Sequence, residues 1–202
     1  MAGLPAQVSP ASNSGTVTIF GTDVTRLPPY RRAHLGLSRT YQVITLFSDD
    51  TLEHNVALGL LGLRPARWQM WRTLASYDEI SAEARRILDA VGLLDLASRP
   101  VSEIAYGERR RVELAMTFAQ RPRILLLDEP FAGLSDAERA TVKSLIGSIP
   151  RGTIVMMIEH DMDTALELAD TVTLLSSGRV IVDGPRDTVI ADERTREVYL
   201  GA

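Results

Sequence analysis

The chain has 202 residues, of which 45% are hydrophobic and 24% charged, so we expect one soluble domain with a small appended subdomain. Its net charge of −4 comes without a basic stripe, which argues against nucleic-acid binding, and the absence of cysteine excludes disulfides and thiolate metal sites. The longest apolar run, residues 56–63, is too short to span a membrane, and the N-terminus lacks the pattern of a secretory signal. We therefore expect any role at a membrane to depend on a partner.

The first half of the chain predicts short elements. Residues 1–15 are rich in Ala, Pro, Ser and Gly, which predicts a loop or a frayed tail. Alternating apolar residues predict a strand over 16–20, and Pro28 and Pro29 favour a short helix directly after the following turn.

Two amphipathic patterns come next. Apolar residues recur at helical spacing from Thr51, and again after Ser81, which we expect to cap the second helix. These helices predict a helical subdomain over residues 51–99, set apart from an α/β core formed by 16–50 and 100–202.

The second half alternates strands with helices. We predict a helix that ends before Pro122, a strand over 124–127, a helix over 137–149, a buried strand over 153–158, a helix over 161–169, paired strands over 171–175 and 180–182, and a terminal helix over 188–199. Strands joined by crossover helices imply an α/β fold with a mostly parallel sheet, whose site lies at the carboxyl ends of the strands.

Polar side chains follow three of these strands. Gln42 follows the first strand-like run, Asp128 and Glu129 follow the second, and His160 follows the third, so they can converge on one ligand. Singly, Gln42 could be an exposed loop residue and His160 a structural histidine. The adjacent carboxylates are harder to explain without a cation, because burial beside an apolar layer costs desolvation. One can hold Mg²⁺ while the other activates water, which indicates nucleotide chemistry.

A glycine-containing turn, Tyr106-Gly107-Glu108, opens the helix before strand 124–127. Its backbone N–H groups are of the kind that receive phosphate oxygens. The basic run that follows, up to Arg111, is more simply a solvated helix face than an anion site.

Five motifs, in this order, resemble those of ABC-type ATPases. SRTYQ resembles the Q-loop, IAYGE the signature, LLLDEP the Walker B motif, GLSD the D-loop and IEHDMD the H-loop. The resemblance covers Gly15 to Gly201. The segments LGLSRTYQ, IEHDMD, GRVIVDGP and VYLG are especially similar to the branched-chain amino-acid importer subfamily, which includes urea-type relatives.

The resemblance implies a P-loop α/β fold with a helical subdomain, and ATP and Mg²⁺ as cofactors. By it, Asp128 would hold Mg²⁺ through water, Glu129 would polarise the attacking water and His160 would contact the γ-phosphate. Gln42 would serve the metal site and link it to the permease.

The family's assembly is implied in the same way. The remaining nucleotide-binding positions implied by the resemblance are Ala105, Tyr106, Gly107, Glu108 and Asp136. The implied partners are a second ATPase subunit, which pairs its phosphate loop with this signature, and transmembrane permease subunits that hold the protein at the cytoplasmic face of the membrane.

Two departures from the family pattern matter. No G-x-x-x-x-G-K-[ST] phosphate loop occurs in the sequence, so we expect an N-terminal truncation that removes it with a core strand and helix. The apolar faces of Val17, 124–127 and 154–158 would then lack packing partners. Ala105 stands where the family usually has serine, a loss of about 1.5–3 kcal/mol for a hydrogen bond to a charged group.

Three hypotheses follow. The chain could derive from an ordinary importer ATPase through a misassigned start or a truncated gene. It could instead be a non-hydrolysing partner in an asymmetric heterodimer, lending its signature to a complete subunit. It could also be an inert remnant; a soluble ABC-type protein without a permease is a further alternative.

Overall fold

The computed structural model describes residues 15–41, 45–62, 64 and 78–200, the last three of these without their side chains. The strands are β1 (Thr18–Ile19), β2 (Thr22–Asp23), β3 (Leu37–Arg39), β4 (Ile124–Asp128), β5 (Ile154–Ile158), β6 (Thr171–Ser176) and β7 (Arg179–Pro185). The helices are α1 (Pro29–His34), α2 (Leu52–Leu61), α3 (Asp78–Ala90), α4 (Tyr106–Ala119), α5 (Asp136–Gly147), α6 (Met162–Leu168), α7 (Arg186–Ala191) and α8 (Glu193–Leu200). The expectation for the N-terminal tail lies outside these residues except at Gly15.

A parallel sheet with strand order β3-β4-β5 forms the centre of the fold. Leu37 of β3 pairs with Ile124 of β4, and Ile124 pairs with Ile154 of β5, so the strands run in close register. Their carboxyl ends therefore lie along one edge, as predicted, and the α/β class with a parallel sheet is confirmed.

Two hydrophobic clusters share helix α4. Leu114 of α4 packs with Leu125 and Leu127 of β4 and with residues of α5. Val112 and Ala115, on another face of α4, belong to a cluster with α2 and α3. This second cluster also includes residues beyond 99, so its packing does not mark the end of a helical subdomain at that residue. The predicted boundary stays a prediction.

Helix α2 begins as predicted, with the Thr51 hydroxyl accepting a hydrogen bond from the His54 N–H at 3.1 Å. The prediction that Ser81 caps α3 is wrong, because the helix already includes Asp78. Ser81 lies inside α3, where its hydroxyl donates to the Glu53 carboxylate of α2. A contact between helices therefore accounts for this serine.

Strand β5 corrects the prediction of a covered strand. Ile154, Met156 and Ile158, which share one face, are 56%, 63% and 62% exposed. Met157, on the other face, packs partly against the β4–α5 cluster. Within the described residues β5 pairs only with β4, and Val17 is also exposed. No described residues form a layer over these faces. The expectation of missing packing partners is wrong for residues 124–127, because Leu125 and Leu127 are buried against α4 and α5.

The C-terminal region is a hairpin followed by two helices. Strands β6 and β7 are antiparallel and joined through Ser177 and Gly178, whose φ values of 48° and 75° suit a tight primed turn. The predicted single terminal helix over 188–199 is wrong, because the helix is interrupted at Asp192, which separates α7 from α8. The Asp192 carboxylate accepts from the Arg194 N–H at 2.9 Å and so caps α8.

Candidate nucleotide site

The carboxyl end of β4 holds the two adjacent carboxylates. The Asp128 N–H donates to the Thr40 hydroxyl oxygen at 3.2 Å, and the Glu129 N–H donates to the Ile158 carbonyl at 2.9 Å. Glu129 has a φ of +45°, a left-handed conformation that a non-glycine residue adopts at a cost. Hydrogen bonds to the Thr40 side chain, directly after β3, and to the backbone of β5 therefore fix where these two residues lie.

A cation already meets Asp128. The Arg39 Nη2 donates to the Asp128 Oδ2 at 3.0 Å, and the Arg39 guanidinium lies 5.2 Å from the centre of the Tyr41 ring. Sequence reasoning anticipated a cation beside these carboxylates but not this arginine. A signal was present, since Arg39 ends the strand next to β4 and its backbone pairs with that of Leu126.

The chemistry of Asp128 suits Mg²⁺. Its side chain is only 26% exposed but presents carboxylate oxygens at the sheet edge. No group of three or more His, Asp or Glu side chains in the described residues could hold a metal ion by itself. Because Mg²⁺ usually takes one or two carboxylates together with water and substrate phosphates, the site fits an ion that is shared with a nucleotide.

His160 lies beside Glu129. Its Nδ1 is 3.8 Å from the Glu129 Oε1 and 3.4 Å from the Glu159 Oε1, while its side chain is 74% exposed. The structure therefore brings together Asp128, Glu129 and His160, three of the four predicted strand-end residues. The fourth, Gln42, lies outside the described residues.

Glu159 supports the loop that carries His160, a role that sequence reasoning missed. Its side chain is 2% exposed, and its Oε1 accepts from the His160 N–H at 3.0 Å and from the Asp161 N–H at 3.4 Å. This buried carboxylate folds the backbone after β5 back on itself, which sets the direction in which His160 leaves the strand.

Asp161 ties the same loop to α6 and α5. Its carboxylate accepts from the Thr164 N–H at 3.1 Å, which caps α6, and pairs with Arg139 of α5. The hydrogen bond from Thr164 is the largest cause of a lowered Asp161 pKa, and the Arg139 charge acts in the same direction. Asp161 is thus held ionised at the start of α6, where the helix dipole also favours negative charge.

The signature turn begins α4. Ala105 and Tyr106 are exposed, and the Glu108 carboxylate accepts from the Ala105 N–H at 2.8 Å. Gly107 is buried, and a Cβ there would overlap the Glu138 carboxylate of α5. A side chain at position 107 would therefore have to displace the Glu138 carboxylate, which accepts a hydrogen bond from the Ser135 N–H at 2.8 Å.

Two further predicted positions have clear surroundings. Asp136 is exposed in the first turn of α5. Arg110, assigned by sequence reasoning to a solvated face, is instead 1% exposed. That prediction is wrong for Arg110, because its guanidinium lies beneath the carboxyl end of β4.

Comparison with known proteins places this geometry in a family. The family model described as ABC transporter matches residues 4–132. A probable ABC transporter ATP-binding protein of Azorhizobium caulinodans is 30% identical over 191 residues, covering 94% of this chain and 64% of that protein. The high-affinity branched-chain amino acid transport ATP-binding protein BraF of Pseudomonas aeruginosa is 31% identical, covering 93% and 76%. The sulfate/thiosulfate import ATP-binding protein CysA of Mycolicibacterium paratuberculosis is 35% identical, covering 83% and 43%.

Solved structures show the same fold. A nucleotide-free ATP-binding cassette from an ABC transporter superposes with a TM-score of 0.76 at 23% identity, covering 94% of this chain and 78% of that one. An ATP-binding cassette of an ABC transporter in its ADP conformation gives a TM-score of 0.72 at 24% identity, covering 90% and 74%.

The chain thus has the fold of an ATP-binding cassette, with paired carboxylates at the carboxyl end of one strand of its parallel sheet. This chain belongs to the ABC transporter family. It spans just under two thirds of the length of the Azorhizobium relative and about three quarters of BraF. Across the described residues, every helix is too short or too polar to cross a membrane.

Proposed function

We propose that this chain binds and hydrolyses ATP as the energising subunit of an ABC importer. The observation that carries the proposal is the strand-end group: Asp128 and Glu129 follow β4, and His160 approaches Glu129 to 3.8 Å. Membership of the ABC transporter family implies that the ligand is a nucleotide. The strand-end group provides the acidic and imidazole side chains that in-line displacement on a γ-phosphate needs.

Each side chain has a separate role in the proposed reaction. Asp128 holds Mg²⁺, which when bound neutralises charge on the phosphate oxygens. Glu129 orients the attacking water by accepting its hydrogen bond, and His160 donates to the γ-phosphate. Gln42 contributes to the metal site and passes its state to the permease. Arg39 forms an ion pair with the same carboxylate. When the metal binds, Arg39 therefore either shares the Asp128 carboxylate with it or loses this ion pair.

We infer that the grip on the β- and γ-phosphates comes from a G-x-x-x-x-G-K-[ST] segment beyond these 202 residues. The sequence lacks the motif, and the uncovered face of β5 is compatible with a further layer of protein. In this proposal, Ala105 to Glu108 and Asp136 contact the nucleotide that is bound by a second ATPase subunit. Transmembrane permease subunits hold the pair at the cytoplasmic face of the membrane.

Branched-chain amino acids, or a related small polar solute, are the proposed cargo. BraF and the LivG proteins, named for branched-chain amino acid transport, are similar along more than nine tenths of this chain. The similarity to a sulfate/thiosulfate import protein shows that overall likeness alone does not select a solute. The support specific to branched-chain amino acids is the set of Q-loop, H-loop and C-terminal segments described above.

The test uses an assembly of this chain, joined to the G-x-x-x-x-G-K-[ST] segment inferred above, with its permease and a second ATPase subunit. It measures turnover at this chain's own nucleotide site. Glu129→Gln should lower ATP turnover on the order of a hundredfold or more while leaving ATP binding in place, because it removes the acceptor for the water proton but little else. Asp128→Ala should weaken the binding of Mg²⁺, so that ATP turnover requires a higher Mg²⁺ concentration. The matched control is Glu197→Gln on α8, which should turn over ATP at the parental rate.

The outcomes separate the alternatives. Unchanged turnover in both strand-end variants would refute the catalytic proposal. An ATP-dependent complex that hydrolyses only at the partner's site would instead favour a non-hydrolysing role, although the missing serine hydroxyl at Ala105 counts modestly against it. A chain that neither folds nor shows a thermal shift with Mg-ATP would be an inert remnant.

A further inference from the structure

Arg110 is a fully buried arginine next to the proposed catalytic residues. It lies in the second turn of α4 between two arginines that reach elsewhere, and only 1% of it is exposed. A buried guanidinium is costly unless its N–H groups are hydrogen-bonded. The partners of those groups therefore indicate what Arg110 does.

One side of the guanidinium holds the carboxyl end of β4. Nη2 donates to the carbonyls of Asp128 and Glu129, at 3.0 and 2.9 Å. Nε donates to the carbonyl of Pro130 at 3.2 Å. Three consecutive peptide groups, which include those of both catalytic carboxylates, are thus fixed by a single side chain.

The other side holds the segment that leads to Gln42. Arg110 Nη1 donates to the Tyr41 carbonyl at 3.1 Å and also to Glu113, one turn further along α4. The Glu113 Oε1 in turn accepts from the Tyr41 N–H at 3.2 Å. Both backbone polar groups of Tyr41 are therefore bound by this buried ion pair.

The charges in this cluster compensate each other. The Arg110 and Glu113 side chains are 2% and 10% exposed. Burial raises the pKa of Glu113, and the positive charge of Arg110 opposes that rise. The pair therefore brings two charges beneath the strand end with little net charge, and it adds no cation to the ligand-facing side.

We propose that Arg110, together with Glu113, is a positioning residue that sets Asp128 and Glu129 against the segment before Gln42. Because it projects from α4, the helix that begins at the signature turn, it transmits a shift of that helix to the peptide groups of both carboxylates. The catalytic consequence rests on the proposed function, whereas the positioning itself does not.

Arg111 provides a matched control on the same helix. Its Nη1 also donates to two backbone carbonyls, those of Val91 and Gly92, at 3.0 and 3.2 Å. These lie at the end of α3, away from β4. Lysine at either position shortens the reach and removes donors, so any difference between the two variants reports which carbonyls were held.

The first experiment measures hydrogen exchange in the full chain by mass spectrometry. Arg110→Lys should speed exchange about tenfold or more in peptides covering 38–41 and 128–132, because their main-chain contacts loosen. Arg111→Lys should affect peptides covering 88–93 instead. Equal exchange at 128–132 in parent and Arg110→Lys would overturn the proposal.

A second variant covers the case in which Arg110→Lys does not fold. Arg110→Met combined with Glu113→Gln removes both buried charges while keeping side-chain volume and an acceptor for the Tyr41 N–H. It should fold and show the same faster exchange at 128–132. Parental exchange at those residues in this double variant would also refute the positioning role.

The second experiment measures ATP turnover in the assembly described above. Arg110→Lys should lower kcat about tenfold or more with KM for Mg-ATP within about twofold, because misplaced carboxylates affect the reaction more than binding. Arg111→Lys should leave kcat unchanged. Parental kcat for Arg110→Lys would overturn the proposal. If the parent assembly itself shows no turnover, the proposed function fails, and hydrogen exchange still decides the positioning.

Discussion

Strands β4 and β5 are neighbours with nearly equal apolar content, yet they lie in different surroundings. On the face that carries Leu127 and its register partner Met157, Leu127 is buried against α4 and α5 while Met157 is only partly buried. On the opposite face, Leu126 of β4 is partly buried while its partner Met156 of β5 is largely exposed. The hydrophobicity of a strand thus shows that it suits a covered position, but the cover itself has to come from other parts of the fold. The two strands can be compared directly by mutation.

The largest expected effect is in the core around β4. Leu127→Ala should lower the free energy of unfolding by about 2–5 kcal/mol, because it leaves a cavity in a packed cluster. Met156→Ala on the exposed face of β5 should change it by no more than about 0.5 kcal/mol. Urea denaturation of the full chain measures both, and equal losses would mean that β5 is covered in solution.

A smaller effect is expected where the end of β4 meets Arg39. Arg39→Ala removes the cation that competes for the Asp128 carboxylate, so in the presence of ATP, Mn²⁺, used as a probe for Mg²⁺, should bind up to about fivefold more tightly. Calorimetric titration can measure this. Arg121→Ala is the control, since Arg121 forms a similar exposed ion pair, at 3.1 Å, with Glu83, away from the site. Equal metal affinity in Arg39→Ala and parent would rule out the competition.

The smallest effect concerns the loop after β5. The folded-state pKa of Asp161 is lowered, so its stabilisation is present above the unfolded pKa of about 4 and is lost as pH falls through the folded value. Asp161→Asn, which does not titrate, should be less stable than the parent at neutral pH. The difference in Tm should shrink below about pH 4; a constant difference would contradict the prediction.

Elements with strong local signals were predictable from sequence. The helical spacing of apolar residues from Thr51 marks the start of α2, and the apolar run that ends in Asp128 marks β4. The Ser177-Gly178 turn marks the hairpin of β6 and β7. Each of these signals arises within a few residues, so no knowledge of distant contacts was needed.

Features that depend on distant contacts were not predictable in this way. The contact of Ser81 with Glu53 joins two helices, and the burial of Arg110 depends on carbonyls from β4 and Tyr41. An arginine in a basic run has the same local pattern whether it faces water or lies beneath a strand. Only the packing of α4 against the sheet distinguishes the two cases.

The left-handed backbone of Glu129 has a consequence for the choice of residue there. Phe20 and Ser177 also have positive φ values, but they lie in hairpin turns, where a glycine or asparagine could replace them without loss of a charged group. At Glu129 glycine would relieve roughly 1 kcal/mol or more of conformational strain, yet it would delete the carboxylate. Thermal stability and the proposed catalytic role of Glu129 therefore favour different residues at this one position.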